Sequence, residues 1–289
     1  MYEIELTGLL AHKPVAALSV YGLYVAIPDC LIYYKSRGAG SYYPVLKSQY
    51  QNIDELAEFL CSKTTWSNLN IPPKINSLKK GKTKFALNDF EKLLVEDEVL
   101  AAGLATDLKL EDKNGICVKT SPFYLLSRQA TLCPECEKTL SLLEIENTKD
   151  CLTKFPWDMI EGQNYGFFAE SVSGNVFKND LSKGTFKSLT VPILCLLSIA
   201  AWRTLPCFMS GRDVMTAGCH KDFGLNFTYP IFTKPQTRLE AVSWLCNSML
   251  KDSKNRLLWK NVGITAVFES KFKKVTQKES GYLRTSKRI

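Results

Sequence analysis

The sequence is short of the residues that most enzymes use for acid–base and nucleophilic chemistry. It has only two histidines, His12 and His220, and it contains neither a glycine-rich phosphate-binding loop nor a GxSxG nucleophile elbow. Cys219 directly precedes His220, and adjacent residues of an extended segment point to opposite faces, so the pair makes a poor catalytic dyad. The sequence therefore favours a binding protein over an enzyme, and we expect His220 to lie on the surface or in a loop.

Long hydrophobic runs are also missing. The longest one, Val191–Trp202, spans twelve residues, which is too few to cross a bilayer and is typical of a buried helix. The first ten residues carry Glu3 and Glu5 but no basic segment, so we expect no signal peptide. The ten cysteines stand singly apart from one close pair, which is typical of reduced thiols rather than of a disulfide framework. These features predict a cytoplasmic protein that does not enter a membrane.

The positive charge is unevenly distributed along the chain. The net charge is +8, and the segment from Lys251 to Ile289 holds eleven Lys and Arg against three acids, a net of +8. The other 250 residues carry 26 basic and 26 acidic side chains, a net of zero. A neutral body with a basic end is the pattern expected of a surface that binds a polyanion such as nucleic acid. The alternative is a solvated, lysine-rich tail without a ligand.

The close cysteine pair is Cys133-Pro134-Glu135-Cys136. Two thiolates at this spacing supply half of a tetrahedral zinc site, and Cys117, Cys151 and Cys219 with His220 are candidates for the other half. A second CxxC motif is absent, so we expect ordinary reduced cysteines, no metal and no cofactor. A zinc-stabilised protein-interaction module stays as an alternative function. A nuclease is a further alternative, which the absence of a paired-carboxylate motif disfavours.

Hydrophobic periodicity and capping residues predict an α+β fold. Residues 1–187 are expected to form a mixed α/β region, and residues 188–289 a helical region that a short basic β-hairpin closes. Helices are predicted to start at Pro14, at Asn52 or Asp54, at Asn88 (running to about Leu104), near Pro192, and at the Thr237–Glu240 capping box. Residues 264–270 and 282–284 are predicted to form the terminal strand pair.

Three clusters of basic residues are candidates for contacts with nucleic-acid phosphates. They are Lys79, Lys80, Lys82 and Lys84; Lys271, Lys273 and Lys274; and Arg284, Lys287 and Arg288. Lysine binds phosphate as a point charge, so these clusters favour contacts with the backbone over reading of bases.

Several segments resemble, in order, those of a known protein family. Residues 4–23 resemble the "GxxPxxALxxYGL" start of large-subunit families of CRISPR Cascade complexes, and residues 120–129 resemble their "TPLxxxSGxQ" segment. Residues 194–206 are similar to their "LAxxGLxxLP" helix, residues 227–232 to "FxWPxW", and residues 262–270 to "xGVxxVFxS". Arg128 stands where glycine is usual in the family, and Tyr229 and Phe232 replace tryptophans. The resemblance is closest to the type I-G (formerly I-U) group.

The resemblance implies an RNA-guided surveillance complex. It predicts a non-catalytic DNA-binding subunit that assists recognition of the protospacer-adjacent motif and opening of the target duplex. The implied partners are the Cascade backbone subunits with their CRISPR RNA, target double-stranded DNA and a recruited helicase-nuclease. Arg128 and Gln129, at the end of the second segment, join the nucleic-acid-binding candidates.

Overall fold

The computed structural model describes residues 1–75, 84–112, 115–125, 132–163, 165, 167, 189–211, 213–222, 224–273 and 282–289. Helices and strands both contribute to these residues, which confirms the α+β class. The helices are α1 (Pro14–Ala26), α2 (Ile53–Cys61), α3 (Lys63–Asn68), α4 (Leu87–Glu96), α5 (Glu98–Leu104), α6 (Leu132–Ser141), α7 (Ile145–Thr153), α8 (Pro192–Ala200), α9 (Arg238–Leu245) and α10 (Arg256–Asn261). None of the described helices has the length and apolar character needed for a membrane span.

The strands pair antiparallel throughout. They are β1 (Tyr2–Glu5), β2 (Leu31–Gly38), β3 (Ser41–Ser48), β4 (Lys84–Ala86), β5 (Ala105–Asp112), β6 (Gly115–Thr120), β7 (Ile160–Glu161), β8 (Leu189–Thr190), β9 (Cys207–Ser210), β10 (Asp213–Thr216), β11 (Cys219–Lys221), β12 (Leu225–Phe232), β13 (Ile264–Lys273), β14 (Tyr282–Leu283) and β15 (Lys287–Arg288). The larger sheets have the orders β1-β3-β2, β4-β6-β5 and β11-β12-β13, and both β14 and β15 pair with the far side of β13.

The second half of the chain departs from the expected helical region. Its described residues hold a five-stranded sheet as well as helices, because β12 and β13 are long strands that pair over most of their length. The predicted terminal strand pair is confirmed: Phe272 lies opposite Leu283 and Lys273 opposite Tyr282. The C-terminal region is therefore a sheet with helices packed around it.

Local capping chemistry sets several helix starts as predicted. The Asn52 side chain accepts a hydrogen bond from the Glu55 backbone N–H at 3.0 Å, and Thr237 forms a complete capping box with α9. The single helix predicted from Asn88 is wrong. α4 starts one residue earlier without a side-chain cap, and Asp97 ends it and caps α5 by accepting from Leu100 N–H at 3.0 Å.

Helix α1 packs very closely against α8. A Cβ atom placed on Gly22 would lie 1.9 Å from the Leu197 carbonyl oxygen, so only glycine allows this approach. The Ser19 hydroxyl, one turn earlier, lies 3.3 Å from the Leu194 carbonyl oxygen. Every residue of α1 and α8 is buried, and the contact lies at the centre of one hydrophobic core.

The C-terminal sheet is tied to the N-terminal residues. The Tyr229 hydroxyl lies 2.8 Å from the Ala11 carbonyl oxygen and 2.6 Å from the Ser286 hydroxyl, and Ser286 N–H donates to the His12 carbonyl at 3.0 Å. The described parts of both predicted regions thus share one core. The boundary predicted at residue 187 lies outside the described residues and stays a prediction.

An ion pair links three elements that are distant in sequence. The Arg203 guanidinium donates to the Asp97 carboxylate and, at 3.1 and 3.3 Å, to the Leu69 carbonyl oxygen. The two side chains are only 17% and 10% exposed. The pair joins the Asp97 cap to the turn that follows α3.

Candidate nucleic-acid interface

Strand β13 brings two of the predicted basic clusters together. Phe272 and Lys273 of β13 pair with β14, and Phe268 and Glu269 of β13 pair with β15. Lys271 and Lys273 on β13 therefore lie close to Arg284, which follows β14, and to Lys287 on β15. The Arg284 backbone N–H also donates to the Lys271 carbonyl at 3.0 Å. Residues of the two clusters, which are 11 or more positions apart in sequence, thus lie side by side at one margin of the sheet, which we call the basic edge: Lys271, Lys273, Arg284, Lys287 and Arg288.

Buried aromatic side chains hold the basic edge in place. On the inner face of β13, the Phe272 ring lies 5.3 Å from Phe123, and the Phe268 ring stacks on Tyr229 at 6.1 Å. Leu283 of β14 is fully buried. The Ser270 hydroxyl donates to the Arg284 carbonyl at 2.5 Å. The strands that carry the charges are therefore fixed by packing, which lowers the entropic cost of binding a ligand.

The side chains of the basic edge differ in how strongly they are held. Lys271 and Arg284 are exposed, and neither has an ion-pair partner among the described residues. The Lys287 ammonium is 66% exposed and lies 3.7 Å from Glu269. Arg288 packs over the Tyr42 ring at 5.9 Å and donates to the Thr265 carbonyl at 3.2 Å. Lys271, Arg284 and Lys287 are thus the groups most available to phosphates.

A largely buried pair of a histidine and a carboxylate side chain lies beside the basic edge. His220 Nε2 lies 3.4 Å from a Glu269 oxygen, and His220 Nδ1 lies 3.4 Å from the Thr228 hydroxyl. The side chains of His220 and Glu269 are 9% and 13% exposed. The expectation of a surface or loop position for His220 is wrong, because the residue lies on β11 opposite Asn226. Cys219 lies on the opposite face of that strand, as the sequence predicts.

Burial lowers the pKa of His220 below its usual value of 6.5, and the nearby Lys251 ammonium lowers it further. Glu269 and Asp222 act in the opposite direction without reversing the shift. At neutral pH His220 is therefore uncharged, and it leaves Glu269 free to attract Lys287. Sequence reasoning did not find this pair, because only the pairing of β11, β12 and β13 brings residues 220 and 269 together.

Protonation of His220 should make stability depend on pH. The unfolded chain binds this proton first, so the free energy of unfolding is highest above pH 6.5 and falls as the pH drops below that value. We expect His220→Gln to remove this part of the decrease. Denaturant unfolding at about pH 7.5 and about pH 5.5 measures it. An equal decrease in the variant would show that other groups cause the effect.

Of the cluster formed by Lys79, Lys80, Lys82 and Lys84, only Lys84 lies among the described residues. Lys84, the first residue of β4, lies opposite Lys119 of β6. Phe123 follows four residues later and contacts Phe272 of β13. The segment that follows β6 thus packs against the inner face of β13.

Some predicted residues cannot be placed. Lys79, Lys80, Lys82, Arg128, Gln129 and Lys274 lie outside the described residues, and only the backbone of Lys273 is described. Their roles stay predictions.

The two cysteines of the CxxC motif face different surroundings on α6. Cys136 is fully buried, and its burial raises the pKa of the thiol far above the usual value of 9.0. Cys133 is partly exposed, with its sulfur 3.9 Å from Glu137 Oε1. Within the described part of the chain, no three His, Cys, Asp or Glu side chains are grouped as metal ligands would be. Among the described residues, the two cysteines therefore have no third metal ligand beside them.

Comparisons of the chain with protein-family models, with curated proteins and with solved structures found no match.

Proposed function

We propose that the chain is a non-catalytic DNA-binding subunit of a CRISPR RNA-guided Cascade surveillance complex. It assists recognition of the protospacer-adjacent motif and opening of the target duplex. The observation that carries the binding part of this proposal is that Lys271 on β13, Arg284 just after β14 and Lys287 on β15 come together along one side of β13. The order of sequence segments that resembles Cascade large subunits supports the assignment to this kind of complex.

The chemistry of the basic edge suits the nucleic-acid backbone. Its exposed groups are ammonium and guanidinium ions, which neutralise phosphates and release condensed counterions whatever the base sequence. Such contacts fix the position of a protein on the duplex but carry no sequence information. In RNA-guided complexes, base pairing with the guide reads the target, so a subunit that holds the backbone fits this division of tasks. The basic edge therefore supplies affinity, and residues elsewhere read the motif.

The test is to isolate the full chain from its native host with a purification tag and to sequence the RNA that it retains. We expect guide RNAs that share one repeat-derived end, together with stoichiometric backbone subunits and affinity for DNA that matches the guide. RNAs of unrelated sequence, or a chain that carries no RNA, would contradict the Cascade assignment. Binding of the isolated chain to DNA would still stand as a separate result, because it depends only on the basic edge.

A further inference from the structure

A cavity of about 450 Å³ lies on the helical side of the molecule and shares no residue with the basic edge. Helix α3 and the turn that follows it form one wall, and the exposed side of α6 forms the other. The volume falls within the range of about 300–1,000 Å³ that is typical of small-molecule sites. The residues that line it are Lys63, Ser67, Asn70, Ile71, Pro72, Lys74, Cys133, Glu137, Leu140 and Ser141.

Both walls are held from behind by buried groups. Trp66 of α3 is fully buried, and its indole N–H donates to the Leu60 carbonyl at 2.8 Å. Arg203 fixes the turn through the Leu69 carbonyl. On the other wall, the buried Thr139 hydroxyl of α6 bonds to the Tyr165 hydroxyl at 2.8 Å. The cavity is therefore formed by elements that buried contacts hold in place.

The chemistry of the lining selects the kind of ligand. Lys63 and Lys74 supply two positive charges, and neither has an ion-pair partner among the described residues. Pro72 and Leu140 supply an apolar surface, and Ile71, which is nearly fully buried, lies behind it. Hydroxyl groups, an amide and one carboxylate complete the lining: Ser67, Ser141, Asn70 and Glu137. The cavity thus combines cations, an apolar surface, and donors and acceptors of hydrogen bonds.

Other classes of ligand match this combination less well. An apolar molecule would leave two ammonium groups and an amide without partners, which is costly when they are covered. A lone phosphate would leave most of the cavity and its apolar wall unused. A divalent cation needs several oxygen ligands, and Glu137 is the one carboxylate among the lining residues.

We propose that this cavity binds a nucleotide. The phosphate lies between Lys63 and Lys74, the base packs against Pro72 and Leu140, and the polar side chains bind the sugar and the base edge. The ligand is either a free mononucleotide or the 5′-phosphorylated terminal nucleotide of a strand, since both present the same groups.

Binding is tested with the full chain and four kinds of probe by calorimetry: uridine and adenosine 5′-monophosphate, the matching nucleosides, inorganic phosphate, and a 5′-phosphorylated oligonucleotide. We expect a monophosphate or the phosphorylated oligonucleotide to bind at about 1 mM or below, and the nucleosides and phosphate about tenfold more weakly. If only the oligonucleotide binds, a strand end is the source of the ligand. Lys63→Gln with Lys74→Gln should weaken binding by about tenfold or more, because two charge-assisted contacts are lost.

Lys138→Gln with Lys154→Gln is the matched control, because it also removes two positive charges and neither residue lines the cavity. Ser67→Trp fills the cavity without a change of charge, and it should abolish binding while leaving the basic edge intact. The nucleotide should also slow alkylation of Cys133 by about fivefold or more, as expected for ligand occupancy near 80%. The exposed Cys246 serves as the internal reference for this reaction.

No binding by any probe together with unchanged Cys133 alkylation would overturn the proposal. Binding that survives both Ser67→Trp and the double lysine variant would place the nucleotide elsewhere and would also overturn it. If inorganic phosphate bound with the same affinity as the monophosphates, the cavity would recognise only an anion. That result would contradict the proposed packing of the base against the apolar wall. Each of these outcomes leaves DNA binding by the basic edge unaffected, so the two proposals fail separately.

Discussion

Replacing Lys271, Arg284 and Lys287 together with alanine is expected to weaken binding of the full chain to double-stranded DNA about a hundredfold at about 0.15 M salt. Each of these side chains is exposed, and the three come from β13, from the residue that follows β14, and from β15, which both pair with β13. Three lost phosphate contacts release correspondingly fewer counterions, which accounts for an effect of this size. Affinity should fall by a similar factor for all sequences, because backbone contacts do not specify bases.

The matched control is Lys92→Ala with Lys138→Ala and Lys154→Ala. These exposed lysines lie on α4, on α6 and just after α7, and their removal changes the net charge by the same three units. The control variant should keep its affinity within about threefold, since long-range charge contributes little at physiological ionic strength. Equal losses in both variants would mean that net charge, and not the basic edge, causes binding. Thermal unfolding of both variants checks that the fold is intact.

Replacing Gly22 with alanine is expected to destabilise the protein by about 3 kcal/mol, although alanine in a helix normally stabilises by about 1 kcal/mol. The added Cβ would lie 1.9 Å from the Leu197 oxygen and 2.5 Å from its carbonyl carbon. Both atoms belong to the backbone of α8, so no side-chain rotation relieves the contact and the two helices must separate. Denaturant unfolding measures the change, and the unfolding temperature should fall by about 5 °C.

Gly211→Ala is the control for this substitution. Gly211 has φ +61° but open space around its Cα, so alanine there tests backbone strain without crowding. We expect a cost of about 1–2 kcal/mol from the left-handed conformation. If Gly22→Ala were neutral or stabilising, the close packing of α1 on α8 would be wrong.

Local signals in the sequence predicted many of the element boundaries correctly. Asn52 and Thr237 cap their helices through their own side chains, so a few neighbouring residues contain all the information needed. Pro14 and Pro192 each occupy the first turn of a helix that is buried on all sides. The terminal strand pair could be predicted from its β-branched and aromatic residues.

Features that depend on distant partners could not be predicted. Asp97 ends α4 and pairs with Arg203, which is 106 positions away, and no local pattern in the sequence indicates this contact. The extent of the C-terminal sheet was missed for the same reason, because it requires the register of β12 against β13. Strand pairing over such separations is set by tertiary packing rather than by local propensity.

The candidate site was only partly predictable. Charge counting identified the residues of the basic edge, since an excess of Lys and Arg shows in the sequence itself. It could not show that Glu269 restrains Lys287, or that Arg288 is held against Tyr42. The cavity was missed altogether, because its two walls come from segments about 60 residues apart that carry no common motif.

The most direct test of the basic edge as a phosphate-binding surface is the salt dependence of DNA binding by the full chain and by the Lys271, Arg284 and Lys287 triple alanine variant. A plot of log K against log salt should be steep for the unmodified chain, and the slope should be about 2.7 units shallower for the variant, since each phosphate contact contributes about 0.9. The variant with Lys92, Lys138 and Lys154 replaced should keep the original slope. Equal slopes for the triple edge variant and the unmodified chain would show that these three residues contact no phosphates, and would contradict the account.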